Sequence, residues 1–123
     1  MTEIGGKLRD NSFAFALRIV KLSQFLETRK KEKVLSRQIL RSGTSIGANV
    51  RESRFAQSNA DFVAKLFIAL KEAEETEYWL DLLLSSEYIT AEQHTSLRTD
   101  LDWLIATLVN SVKKAKKTSR ILS

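Results

Sequence analysis

Cysteine and proline are absent from this sequence of 123 residues, and histidine occurs once. The lack of cysteine excludes a disulfide framework, a thiol nucleophile and a cysteine-ligated zinc or iron–sulfur site. A single histidine excludes a histidine-rich metal centre and leaves one imidazole for acid–base chemistry. Four glycines and no proline argue against a turn-rich β protein. The composition therefore indicates an all-α protein without metal or cofactor.

Long apolar runs are missing as well. Residues 1–10 are polar and lack the apolar stretch of a signal peptide. The longest apolar runs, such as Phe13–Leu17, are only a few residues long, whereas a membrane-spanning helix needs about 20. The sequence thus predicts a cytoplasmic protein with no membrane partner.

Four segments carry apolar residues at steps of three and four, which is the period of an α-helix. They predict helices over about 12–29, 34–55, 59–84 and 91–117, followed by a basic C-terminal tail at 118–123. The first helix has two apolar stripes, which is typical of a helix packed on two sides. The stripes are Phe15, Ile19, Leu22 and Leu26, and Phe13, Leu17 and Val20.

Capping residues agree with these boundaries. Ser58 followed by Asp61 suits the start of the third helix, and Thr90 with Gln93 forms a capping-box pattern at the start of the fourth. The connections are short, so neighbouring helices must run antiparallel. We therefore expect one domain, 1–123, folded as an antiparallel up-and-down four-helix bundle.

Charge is distributed unevenly along the chain. Residues 1–57 carry 12 basic and 5 acidic side chains, residues 58–110 carry 3 and 10, and residues 111–123 carry 5 and none. The first two helices and the tail are therefore basic, and the third helix is acidic. Such asymmetry favours either head-to-tail self-assembly or a polyanionic partner.

Two glycines interrupt the second helix within Arg41–Asn49. A phosphate-binding loop is a weak interpretation, because the segment lacks the Lys-Ser/Thr ending and a preceding strand. Close approach of another helix, or of another subunit, is the favoured interpretation. The residues concerned are Ser42, Gly43, Ile46 and Gly47.

Basic side chains on the second helix and in the tail are the candidates for phosphate contacts. A solvated surface, or pairing with acids of the third helix, is the simpler alternative. The candidates are Arg37, Arg41, Arg51, Arg54, Lys113, Lys114, Lys116 and Lys117.

No arrangement of acids and histidine suggests catalysis. His94 has no Glu three residues before it, as a di-iron bundle would need, and is expected to be exposed. No nucleophile–base pair is recognisable, so the sequence predicts no enzyme. Glu74 and Glu75 are candidates for a contact with a basic face of a neighbouring subunit. Tyr78 and Trp79 are adjacent and point in different directions, so one of them is expected at a subunit interface.

Four strings of this sequence resemble the bacterial 23S rRNA intervening-sequence (S23) proteins. FAFALRIVKL at 13–22 looks like the opening helix of that family, and QILRSGTSIGAN at 38–49, followed by Glu52, looks like its second helix. SNADFVAKLFIA at 58–69 and KEAEETEYWL at 71–80 look like its third. The resemblance covers about residues 12–84 strongly and the fourth helix by length and pattern only.

The resemblance implies a four-helix bundle that assembles into a ring-like homopentamer, and it brings no catalytic residues. Some members are encoded in insertions within large-subunit ribosomal RNA genes without being known ribosome components. The family is also similar to the accessory protein of diversity-generating retroelements, a basic pentameric barrel thought to bind nucleic acid and a reverse transcriptase. We therefore expect a non-enzymatic homo-oligomeric scaffold that binds nucleic acid, RNA above all, through basic side chains. The alternative is an adaptor that binds only protein partners.

Overall fold

The computed structural model describes residues 3–122, with side chains at residues 5–118 and 120. It contains four helices: α1 (Glu3–Thr28), α2 (Val34–Ser53), α3 (Asn59–Ser85) and α4 (Ala91–Leu122). The described residues contain no β-strand, and the helices form a four-helix bundle. Packing joins α1 to α2, α2 to α3, α3 to α4 and, less extensively, α4 to α1.

Side-chain caps fix the starts of α3 and α4. Ser58 Oγ accepts the backbone N–H of Asp61 at 3.1 Å, which caps α3. At α4, the Thr90 N–H donates to Gln93 Oε1 (2.8 Å) and the Gln93 N–H donates to Thr90 Oγ1 (3.1 Å). This reciprocal capping box confirms the boundary read from the sequence.

Two boundaries differ from the sequence expectation by more than two residues. Helix α1 begins at Glu3 rather than near Ser12, because Leu8 extends the apolar period and is buried against the core. Helix α4 continues to Leu122, so residues 118–122 of the expected tail are helical. Neither glycine nor proline interrupts that segment, so nothing in its sequence ends the helix. Residue 123 lies outside the described residues.

The core lies between the four helices and is largely aliphatic. Phe15, Ile19 and Leu26 of α1 pack against α2 residues such as Ile39 and Ile46, and every one of these side chains is at most 1% exposed. From α3 and α4 the core receives mainly leucines: Leu66, Leu80, Leu83, Leu101, Leu104 and Leu108. The interior thus matches the first apolar stripe of α1 and leaves the second stripe outside.

Pairs of small hydroxyl residues interrupt this core at the helix interfaces. The hydroxyls of Ser23 in α1 and Ser36 in α2 lie 2.7 Å apart, and Thr76 Oγ1 in α3 lies 2.9 Å from Ser42 Oγ in α2. Buried hydroxyls are costly without partners, so these two pairs favour one register of α2 against both neighbours.

Candidate nucleic-acid interface

The antiparallel topology brings the basic C-terminal parts of α2 and α4 to the same end of the bundle. The Arg51 guanidinium of α2 lies 5.8 Å from the ring centre of Phe13 in α1. On the opposite side, the Asn59 amide of α3 donates to the carbonyl of Ala115 in α4 at 2.8 Å. The start of α1, the end of α2, the start of α3 and the end of α4 therefore meet. We call this region, residues 5–13, 51–67 and 111–120, the basic end.

Positive charge greatly exceeds negative charge at the basic end. The acids there are Asp10, Glu52 and Asp61. Each has a partner within the chain: Arg9 at 3.5 Å, Lys65 at 3.4 Å and the backbone N–H of Gln57 at 3.2 Å, respectively. The basic side chains are Lys7, Arg9, Arg51, Arg54, Lys65, Lys113, Lys114, Lys116, Lys117 and Arg120.

Six sequence-derived candidates lie at the basic end. All six are exposed, and none forms an ion pair with a described residue. A polyanion approaching this end would therefore meet cations that need not first leave a carboxylate partner. The six are Arg51, Arg54, Lys113, Lys114, Lys116 and Lys117.

The remaining two candidates lie elsewhere. Arg41 hydrogen bonds to Glu72 at 3.2 Å and to Glu75, so it ties α2 to α3 rather than standing free. Arg37 is exposed in the first part of α2, towards the opposite end of the bundle. The four arginines of the second helix thus do not act as one row.

Most acids of α3 are likewise used inside the chain. Arg98 of α4 contacts Glu77 (3.4 Å), Asp81 (3.2 Å) and Asp102 (3.0 Å). Burial opposes the charge of Arg98, but its hydrogen bond to Asp102 and the nearby carboxylates outweigh burial, so its pKa lies above the ordinary arginine value. Arg98 is the positive centre of an ionic cluster that joins α3 to α4.

His94 belongs to the same cluster and corrects the expectation of an exposed imidazole. Its Nε2 lies 2.8 Å from Asp81 Oδ1, and its side chain is only 16% exposed. The reason is tertiary, because α3 packs beside the start of α4 and covers the ring. Among the described side chains, no group of three or more potential metal ligands comes together.

Two candidates for a subunit contact, Glu74 and Glu75, lie on α3 but differ in availability. Glu75 accepts hydrogen bonds from Arg41 and from the Trp79 indole N–H at 3.0 Å, so its charge is already compensated. Glu74 is exposed and forms no ion pair with a described residue. Of the two, Glu74 is the available carboxylate.

The small residues of α2 face its two neighbours in the bundle. A Cβ at Gly43 would lie 2.8 Å from two side-chain carbons of Ile19, and one at Gly47 would lie 3.2 Å from the Ser12 carbonyl oxygen. Ile46 is fully buried, and Ser42 faces α3. The Gly-Ser stretch is therefore continuous helix at which α1 approaches closely.

Apolar side chains remain exposed on the outer faces of α1 and α3. Leu17 and Val20 lie on α1, and Ile68 and Tyr78 on α3, while Trp79 is half-buried. The Tyr78 ring packs edge-on against Trp79 with centroids 5.0 Å apart. Since α1 and α3 occupy diagonally opposite positions, these faces point away from each other.

Sequence reasoning missed Arg9 and the pairing of Phe13 with Arg51. A signal was present, because Leu8 lies four residues before Ser12 and so continues the buried side of α1. Including that turn in the helix would have placed Arg9 on α1, one turn before Phe13.

No helix in the described part of the chain is both long and apolar enough to cross a membrane.

Comparison with known proteins identifies a family and a solved relative. The model of the 23S rRNA-intervening sequence protein family matches residues 7–110. A crystal structure from Bacteroides thetaiotaomicron, described as a protein with unknown function from the S23 ribosomal protein family, is 55% identical with a TM-score of 0.88. The similarity covers 89% of this chain and 98% of that one. No curated protein matches the sequence.

Proposed function

The chain belongs to the 23S rRNA-intervening sequence protein family, and we propose that it is a non-enzymatic, homo-oligomeric scaffold whose basic end binds nucleic acid, RNA above all. The observation that carries this proposal is the set of six exposed cations at the basic end, none of which forms an ion pair with a described residue. Lys and Arg side chains of this kind contact phosphates without reading sequence. Binding of this kind is weakly sequence-specific and steeply dependent on salt.

A salt titration tests the binding and its location. Fluorescence anisotropy of a labelled RNA, measured over a series of salt concentrations, gives the slope of log affinity against log salt. Replacing Lys113, Lys114 and Lys117 together by Gln removes three of the candidate phosphate contacts. Each lost contact lowers the slope by about 0.7 on single-stranded RNA, so the triple variant should lose about 2.

A matched variant controls for net charge. Replacing Arg29, Lys33 and Arg37 by Gln also removes three positive charges, but these residues lie towards the opposite end of the bundle. This control should keep most of the affinity and slope of the parent protein. Equal losses in both variants would show that only total charge matters, and the basic end would then not be the binding site.

For assembly, we propose a ring of identical subunits, with five as the number that the family resemblance implies. A ring uses heterologous contacts in which two different patches meet. The exposed apolar faces of α1 and α3 supply two such patches, with Glu74 as the available acid beside the second. Leu17→Glu would introduce a charge into the first patch, so light scattering should record a fall towards the mass of one chain.

Val34→Glu is the control for that variant. Val34 is 70% exposed at the start of α2, outside both apolar patches, so this substitution should leave the mass unchanged. A parent protein of single-chain mass would contradict the assembly proposal and leave the bundle as the functional unit.

The exposed apolar faces also favour a second candidate function. An adaptor that docks protein partners would use the same faces and ignore RNA. The likeness to the accessory protein of diversity-generating retroelements adds a reverse transcriptase as one partner class to test. An oligomer whose mass and anisotropy do not respond to RNA at low salt would favour this candidate.

A further inference from the structure

Exposed phenylalanines at the basic end lie under cationic side chains. The Arg51 guanidinium is 5.8 Å from the Phe13 ring centre, and the Arg54 guanidinium is 5.7 Å from that of Phe55. Phe13 is 53% exposed and Phe55 77%. Both distances are close to the outer limit of about 6 Å for a cation–π contact, so the arginines hold these rings only loosely.

The two pairs are neighbours on one surface. Arg51 and Arg54 lie three residues apart at the end of α2, a spacing that places side chains on the same side of a helix. Phe13 and Arg51 also line a groove of about 370 Å³ between α1 and α2. The one acid in its lining, Glu52, contacts Lys65 at 3.4 Å.

Aromatic rings beside cations suit a single-stranded polynucleotide better than a duplex. In a duplex the faces of the bases are stacked inside, so an exposed ring finds no base to contact. In a single strand the bases are free to stack on phenylalanine while the phosphates meet arginine. A protein partner would use the rings too, but it would not require six cations without a carboxylate partner at the same end of the bundle.

We propose that the basic end binds single-stranded polynucleotide, with bases stacked on Phe13 and Phe55 and with phosphates beside Arg51 and Arg54. This inference rests on the proposed function and deepens it by naming the class of nucleic acid. RNA and DNA strands share the chemistry involved, since both offer base faces for stacking on the rings and phosphates for contact with the arginines. The loosely held guanidinium turns from the ring to a phosphate when a base takes its place.

Phe13→Leu and Phe55→Leu test the stacking role without removing charge. Anisotropy would be measured with labelled oligouridylate, with the deoxy strand of the same length and with an RNA duplex. Each substitution should weaken binding of both single strands about tenfold, as expected for loss of one base–aromatic contact. Duplex affinity and the salt slope should not change, and Phe13→Tyr should restore binding because it keeps the ring.

Trp103→Leu is the matched control. Trp103 is an exposed aromatic residue of α4 with no cation over its ring among the described side chains, and it lies about 18 Å along the helix from Ala115. It should bind all three probes like the parent protein. Circular dichroism and light scattering of each variant establish that helix content and mass are retained.

Three results would overturn the inference, and they are distinguishable. Parent-like binding by both leucine variants would show phosphate contacts alone, leaving the proposed function intact. Failure of the parent protein to bind any probe at low salt would remove the proposed function together with this inference. A fall in oligomer mass on Phe13→Leu would identify that ring as a contact between copies of the chain instead.

Discussion

Gly43 is the position at which the packing of the bundle can be tested most directly. A methyl group there would lie 2.8 Å from Cγ1 and Cγ2 of Ile19 and 3.2 Å from its Cβ. Ile19 is fully buried, and its β-branched side chain has little rotational freedom, so it cannot move aside. The Gly43→Ala substitution must therefore push α1 and α2 apart.

The magnitude follows from two opposing terms. Alanine gains about 1 kcal/mol over glycine in a helix interior. Overpacking of a well-filled core costs about 1–3 kcal/mol, and contact with two carbons places Gly43 in the upper part of that range. We expect Gly43→Ala to lower the free energy of unfolding by about 1–2 kcal/mol.

Urea unfolding followed by far-ultraviolet circular dichroism, at one fixed protein concentration, measures this change. Gly6→Ala is the control, since an added Cβ there meets nothing within 4 Å and should gain about 0.5 kcal/mol. Ile19→Ala removes the clashing carbons, so the loss in the double variant should be smaller than the sum of the single losses. A stabilised Gly43→Ala variant, or strictly additive losses, would refute the argument.

Three further predictions concern the polar and backbone features of the fold. Glu87 has a positive φ of 66° just after α3, so Glu87→Gly should raise the free energy of unfolding by about 0.5 kcal/mol in urea titrations. Thr76→Val leaves the buried Ser42 hydroxyl with only a 3.5 Å contact to the Ile39 carbonyl and should cost about 1–3 kcal/mol by the same measurement; adding Ser42→Ala should recover part of the loss, and no recovery would count against the pairing. Thr90→Ala removes the cap of α4 and should cost about 1 kcal/mol, with Thr90→Ser close to the parent protein.

Local features of the sequence were sufficient for most of the fold. The apolar period located four helices, and the capping pairs Ser58/Asp61 and Thr90/Gln93 marked the starts of two of them. These signals act within one or two turns, so they can be read without knowing what packs against them. The early start of α1 was not predicted, because among the described side chains of its first two turns only Leu8 belongs to the core.

The candidate site depended on tertiary structure to a greater degree. The sequence identified basic residues on the second helix and near the C-terminus, and their charge does not depend on the fold. Which of these residues lack an ion-pair partner does depend on the fold, because Arg41 is paired with Glu72 and Glu75, more than 30 residues away. Antiparallel packing alone brings Phe13 to Arg51 and places the lysines of α4 at the same end of the bundle as Arg51. The apolar periodicity of a helix can be read from neighbouring residues, whereas charge compensation depends on which helix packs alongside.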